Sequence, residues 1–448
     1  MKQLILKILF ILIFGNTLFA TSFSECTHLL QKIGMGIDEF SLNRCTKAPN
    51  YTQSVKRLVT YSNRYKTALP FLQKYFNLGK SYRALSATDK IKLNKEKGKY
   101  RFRLKEWWIE SMLSSKAPLK EAMVLFWSNH FTTKIGKIQQ PYLLYRQNML
   151  FREYALGNYR EFLHKIIQDP AMLIFLDNRV NRKKHPNENF AREILELFTL
   201  GVGNYTQKDI VEFSRALSGY GLDRNMTKFK FYRKRHDNGI KNFLGYEGML
   251  NAHQAIDIIL QKKAVSVFVV KKLWRYFISD TPYMPEVNRL AKIFRDSNYN
   301  ISSVVEAIFL SPYFKDKSNS ATIVKSPIEL IVGTLRTLKY RGYPLKKAVI
   351  FSSMMGQNPF NPPNVRGWVG GKEWLNSHTL MARRIFIDQL FLKNSINSID
   401  NSLFLSRGGL NIDKAVKILS PIELKVVPFG NFNKSLKSVL MHPAYQLK

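Results

Sequence analysis

Apolar residues along most of this chain recur three and four positions apart, the spacing of helices with one buried face, and few runs alternate in the manner of strands. Several helix starts carry their own mechanism. Asp169-Pro170 supplies a capping carboxylate and a first-turn proline, Thr206-Gln207-Lys208-Asp209 and Ser303-Val304-Val305-Glu306 read as capping boxes, and Ser326-Pro327-Ile328-Glu329 combines both devices. Gly201 and Gly219-Tyr220-Gly221 fall where helices should stop. From about Leu222 to Glu247 the pattern changes. Lys228 to Tyr232 alternates, and His236-Asp237-Asn238-Gly239 has turn chemistry before Lys241 to Gly245, which predicts a short β-hairpin inserted in a helical body. The stretch from Asn358 to Trp368 is too rich in Pro and Asn for a helix and predicts an ordered loop, while Asn394 to Asn411 reads as loosely structured. With no internal repeat and no long linker, the expectation is a single, mainly α, multi-helix domain over residues 23–448, with the β insertion at 222–247 and long ordered loops.

One helix stands out. Over Pro186 to Gly201, Asn187 can cap, and Asn189, Arg192, Glu193 and Glu196 follow at spacings that place them on one side. Phe190, Ala191, Ile194, Leu195, Leu197 and Phe198 cover the rest. A helix so apolar is buried over most of its circumference, so its carboxylates and guanidinium must pair with each other or with something bound.

Composition adds a setting. Lys2 and Lys7, the apolar run Ile8 to Phe14 and the small-x-small pattern Ala20-Thr21-Ser22 form a secretory leader over residues 1–22, so the chain is expected to be exported to the periplasm or beyond. A retained anchor fits less well, because the apolar run is short of the roughly 20 residues a bilayer needs. No later segment of the sequence is long and apolar enough to cross a membrane. The only two cysteines, Cys26 and Cys45, lie just after the leader and suit a disulfide in an oxidising compartment, which argues against a cysteine metal site or catalytic thiol. The formal net charge is +38. Outside the cytosol that field meets anionic polysaccharide and envelope surfaces rather than nucleic acid, although scattered lysines also serve as ordinary solvated surface.

Ordered motifs then carry a resemblance. Asn187 to Gly201, followed by Tyr205-Thr206-Gln207-Lys208-Asp209-Ile210, resembles the signature of the exported bacterial family catalogued as domain of unknown function 1800. Other blocks agree in order: His28-Leu29-Leu30 with Gly34-Met35-Gly36, Phe126-Trp127-Ser128-Asn129-His130-Phe131, Asp169-Pro170-Ala171-Met172 with Leu176-Asp177-Asn178, Lys272 to Phe277, Lys325-Ser326-Pro327, Val365-Arg366-Gly367-Trp368 and His442 to Gln446. Ser128 departs from the pattern, since members more often carry His there, which removes one potential ligand. The resemblance implies a secreted, mostly helical protein with no established activity, often encoded beside a sulfatase-like partner family, domain of unknown function 1501.

Candidate chemistry follows from combining blocks. Glu193, Glu196 and His130 are candidate acid/base residues, with Asn129, Asn187, Asn189, Arg192, His236, Asp237 and Trp368 as candidate binding residues and Asp177, Asn178 and Glu188 nearby in the pattern. Carboxylates with imidazoles could also hold a divalent metal. Each has a plainer reading: Arg192 in a buried ion network with Glu193 or Glu196, His130 as a hydrogen-bonded core histidine, Asp209 as a cap, and Trp368 and Trp374 as plugs holding the Pro/Asn loop to the core. The sequence lacks a Gly-x-Ser-x-Gly elbow, a His-Glu-x-x-His helix, a phosphate-binding glycine loop and a dinucleotide fingerprint. Two functions remain in view. One is a non-catalytic scaffold that binds the sulfatase-like partner or an anionic envelope polymer; the other is a hydrolase-like enzyme using the Glu/Arg/His cluster, with or without a metal.

Overall fold

Residues 20–66, 86–138, 140–426, 428 and 430–448 are described by the structure, a computed structural model. Residues 1–19, with the leader's charged start and apolar run, lie outside the described residues. The expected mainly α architecture is what the chain adopts: helices from Phe23–Ile33 to Phe432–Met441 pack around one apolar core, and among the described residues sheet is confined to three two-stranded pairs. No described helix is long and apolar enough to cross a membrane.

The described body starts on a sequence-encoded cap. Ser22 accepts the N–H of Glu25 while the Glu25 carboxylate accepts the N–H of Ser22, and Thr21 just before it is buried with its hydroxyl 2.6 Å from Ser54 Oγ. Cys26 and Cys45 form the expected disulfide, tying helix Phe23–Ile33 to helix Glu39–Thr46.

Helices Gln207–Leu217 and Pro327–Thr337 begin on the capping boxes at Thr206 and Ser326, and Asp169 caps helix Pro170–Phe175 through the N–H of Met172. The fourth start is corrected. Helix Ile301–Leu310 begins three residues earlier than Ser303 suggests, because Asn300 takes the Ser303 N–H after left-handed turns at Asn298 and Tyr299 reverse the chain.

The centre of the core is aromatic. Trp127, on helix Pro118–His130, is stacked on Phe131 and Tyr159 and meets Phe162 edge-on, and its indole N–H donates to the carbonyl of Ala155 at 3.0 Å.

The β insertion exists but pairs differently from the expected hairpin. Strand β1 (Tyr220–Leu222) pairs with β2 (Phe229–Phe231), and β3 (Lys241–Phe243) pairs with β4 (Tyr246–Gly248). Local turns decide this. Asp223 Oδ1 accepts the N–H groups of Thr227 and Lys228, closing the first hairpin before β2 can reach β3. Leu244 and Gly245 both take positive φ, the geometry of a two-residue hairpin turn, and close the second. His236 to Gly239 therefore links two hairpins instead of turning one. Residues 394–411, read as loose, hold short 3-10 turns and the small pair β5 (Leu405–Ser406) and β6 (Gly409–Leu410).

Candidate functional site

The signature segment opens as its asparagines suggest. Asn187 Oδ1 accepts the Asn189 N–H at 3.1 Å, capping the first turn from one residue outside the Glu188 N-cap position, and Asn189 Nδ2 donates to the carbonyl of Leu176 at 3.2 Å. It does not continue as one α-helix to Gly201. After Asn189–Glu193 it widens into a π turn over Ile194–Thr199, marked by the Thr199 hydroxyl donating to Ile194 O at 2.6 Å. Such turns are uncommon and recur at functional sites.

The end of this segment is held by donors from three other helices. His130 Nε2 lies 3.0 Å and the Tyr159 hydroxyl 2.7 Å from the carbonyl of Phe198, and Lys272 Nζ donates to the carbonyl of Leu197 at 2.8 Å. Those carbonyls sit where a helix has no further N–H to offer them, so the side chains complete the wide turn.

This arrangement fixes what His130 can do. Its ring is buried, with Nδ1 3.1 Å from Lys272 Nζ, so both nitrogens are engaged. Burial, and then the neighbouring Lys272 charge, hold the imidazole well below its ordinary pKa. Burial, and then Arg275, bring Lys272 down to about 7. A neutral imidazole that donates through Nε2 and accepts through Nδ1 is a structural tie behind the helix. Among the described residues no hydrogen bond joins it to Glu193 or Glu196.

The carboxylates occupy a different setting. Glu193 is half-buried, and its carboxyl is raised first by desolvation and then by Glu196, against the opposing pull of Arg366 and Arg192. Glu196 accepts from the Tyr205 hydroxyl at 3.1 Å and lies 3.8 Å from the Arg366 guanidinium. Burial and Glu196 push the Tyr205 phenol up to about 12.

Arg366 is brought here by an asparagine clamp. Asn129 Oδ1 accepts the Trp368 N–H at 2.7 Å while its Nδ2 donates to the Trp368 carbonyl at 3.3 Å. Gly367 adopts φ +83°, where a Cβ would overlap Asn129 Oδ1 and lie 2.8 Å from the Asn129 carbonyl oxygen, so only glycine fits between clamp and arginine. Asn129 and the buried Trp368 are thus occupied in seating the loop.

Other candidates separate. Arg192 pairs with Glu188 at 3.0 Å and Gln207 at 3.2 Å on the surface, not with Glu193 or Glu196, so the expected buried ion network is absent from this helix. At 40% and 36% side-chain exposure such a pair contributes about 0–1 kcal/mol. Buried His236 points Nδ1 at the carbonyl of Ser218 at 2.8 Å, and Asp237 takes two hydrogen bonds from Arg215 at 2.8 and 3.2 Å. Asp177 pairs with Lys137 at 2.6 Å, and buried Asn178 donates to the carbonyls of Leu217 and Tyr220. Among the described residues no group of three or more His, Cys, Asp or Glu is arranged to hold a metal ion. Arg366, Tyr205 and Lys272, which the spacing pattern does not single out, each belong to one of the ordered motif blocks. That membership was the available signal.

A second feature lies beyond those candidates. The Lys183 N–H donates to the carbonyl of Arg235 at 2.9 Å, and Gly219 bridges the same two segments by donating to Asn181 O and accepting from Tyr232 N–H. Exposed Arg179, Arg182, Lys183 and Lys184 are thereby set beside exposed Arg233, Lys234 and Arg235. Among the described residues none of these seven is in an ion pair with a carboxylate, and the Arg235 guanidinium lies 4.3 Å from the Tyr232 ring centre.

Residues 28–446 match the family described as "Protein of unknown function (DUF1800)". No curated protein and no solved structure matches the chain.

Proposed function

The chain belongs to the DUF1800 family, and from that premise we propose that it is an exported, non-catalytic helical binding protein that holds an anionic polymer of the envelope or extracellular space. The observation that carries the reading is the backbone tie between Lys183 and Arg235, which fixes two basic loops side by side without carboxylates to neutralise them. A fixed array of like charges is costly unless solvent or a polyanion screens it, and a polymer with repeating negative groups gains from every cation at once. Of the two occupants expected from the sequence, the polymer is favoured over the sulfatase-like partner because seven exposed cations outnumber the two exposed apolar side chains beside them, Val180 and Phe231. Export is supported by the leader pattern and agrees with the Cys26–Cys45 disulfide.

The test compares two variants of equal net charge. Arg182→Glu, Lys184→Glu, Arg233→Glu and Lys234→Glu together should weaken binding to a heparin-like sulfated polysaccharide by more than tenfold, and wild-type affinity should fall steeply with added salt. Lys92→Glu, Lys95→Glu, Lys346→Glu and Lys347→Glu together should weaken it far less. Equal losses would mean that overall charge, not this surface, does the binding.

A second reading, hydrolase-like, is favoured by one observation: the raised carboxyl of half-buried Glu193 beside Glu196 has the form of an acid/base pair. Glu193→Gln would then abolish turnover of a polymer that the protein still binds. Retained turnover in that variant, or no turnover by the wild type, removes this reading.

A further inference from the structure

Away from both features, two helices face each other through a histidine pair. His164 lies in the last turn of helix Tyr159–Ile166, and His253 with Asp257 one turn on lies in helix Ala252–Gln261. The two Nδ1 atoms are 2.9 Å apart. Each remaining ring nitrogen is occupied: His164 Nε2 lies 3.3 Å from Asp257 Oδ1, and His253 Nε2 lies 3.0 Å from the Gln168 side-chain amide. Arg160 in turn holds Asp257.

With the Gln168 amide N–H directed at His253 Nε2, the matching tautomers carry the His253 proton on Nδ1, donated to His164 Nδ1, and the His164 proton on Nε2, facing Asp257. Two imidazoles thus converge through the same type of nitrogen on one point, while a carboxylate and an amide orient them from behind. That is how metal-binding histidines are commonly supported, with the non-ligating N–H given to a carboxylate or amide oxygen. The pair is reachable, since the His164 side chain is 23% exposed and His253 is half-buried.

We infer that His164 and His253 form a two-imidazole site for a borderline divalent transition cation, Zn²⁺ or Cu²⁺, that clips helix Tyr159–Ile166 to helix Ala252–Gln261. Metal–nitrogen bonds of about 2.0–2.1 Å in tetrahedral geometry place two ligand nitrogens about 3.3 Å apart, so the rings need separate by only a few tenths of an ångström. Binding moves the His253 proton from Nδ1 to Nε2, where Gln168 receives it by turning its amide oxygen inward; no proton is gained or lost. Water fills the remaining positions. Asp257 is the one carboxylate of the cluster and is already balanced by Arg160, so hard cations that require oxygen ligands, Mg²⁺ and Ca²⁺, are not drawn to it. The site touches neither the signature helix carboxylates nor the basic loops, and it holds or fails independently of the polymer reading.

The experiment titrates the full-length exported protein, stripped with chelator, with ZnCl₂ by calorimetry and with Cu²⁺ by electron paramagnetic resonance. Wild type should take up one equivalent, with nitrogen hyperfine structure from two imidazoles in the Cu²⁺ spectrum, and ZnCl₂ but not MgCl₂ should raise its unfolding midpoint. His164→Ala and His253→Ala should each weaken uptake at least tenfold, and Asp257→Asn by about 10–100-fold through loss of ring orientation. Both histidines are partly exposed, and circular dichroism checks that the variants remain folded. The inference is overturned if wild type binds neither cation, or if the double variant His164→Ala/His253→Ala binds as wild type does.

Discussion

Replacing His130 with alanine separates a structural tie from a catalytic group. The ring is enclosed by Phe126, Trp127, Phe131 and Phe198, so truncation opens a cavity in an aromatic core. Truncation of large buried rings costs about 3–5 kcal/mol, and imidazole, being smaller than phenyl, belongs at the low end. The Phe198 carbonyl keeps the Tyr159 hydroxyl at 2.7 Å and Lys272 keeps the Leu197 carbonyl at 2.8 Å, so the two lost hydrogen bonds together add only about 1 kcal/mol. We therefore expect His130→Ala to lose about 3–4 kcal/mol in equilibrium urea unfolding followed by circular dichroism. Tyr159→Phe alone should cost about 1 kcal/mol, because His130 still serves the carbonyl. Combined, the two should cost more than their sum, since the Phe198 carbonyl is then buried without either donor. Glu193→Gln, half-buried and nearly isosteric, should stay within about 1 kcal/mol of wild type. The reasoning fails if His130→Ala unfolds within about 1 kcal/mol of wild type, or if the double variant is simply additive.

Buried lysines set a pH dependence. Lys32, Lys272 and Lys325 are each lowered by burial to about 7. Between pH 7 and their ordinary value near 10.5 the unfolded chain binds more protons, so stability should rise as pH increases from 7 toward 10. Above pH 10 it should fall, because Tyr159 and Tyr276 are raised well above their ordinary value by burial and ionise more readily once unfolded. Urea midpoints that are flat or decline from pH 7 to 9.5 would contradict this. Gly367→Ala should cost about 2–4 kcal/mol from left-handed backbone and overlap with Asn129, measured by the same unfolding curves, whereas Gly371→Ala should cost only the backbone part, as it has open space at its Cβ position. If export includes cleavage, intact-mass analysis should place the new N-terminus at Thr21 and not Phe23, because Thr21 and Ser22 are built into the first helix cap. A mature chain beginning at Phe23 would show that this cap is dispensable.

Much of the local structure was legible in the chain because its causes are local. The capping boxes at Thr206 and Ser326, the proline start after Asp169, the stop at Gly201 and the cysteine pairing each depend on residues a few positions apart or on the absence of any alternative partner. The helical spacing also marked the segment beginning at Asn187 as mostly apolar and central. Its conversion to a π turn was not legible, since the donors that complete it, His130, Tyr159 and Lys272, come from three other helices. The hairpins were mispaired for a related reason: alternation announces strands, but Asp223 and the Leu244-Gly245 turn choose their partners. Likewise, sequence spacing placed Arg192 near Glu193 and Glu196, whereas it pairs with Glu188 one helical turn before it; tertiary packing added Gln207 to that pair and brought Arg366 to Glu196 from the distant Pro/Asn loop. By itself the sequence determined helix content, caps, the disulfide and a strongly basic composition. Only the tertiary structure decided which carbonyls met which donors, which charges stood unpaired side by side, and that His164 and His253 face one another, because those outcomes depend on contacts between segments that no periodicity connects.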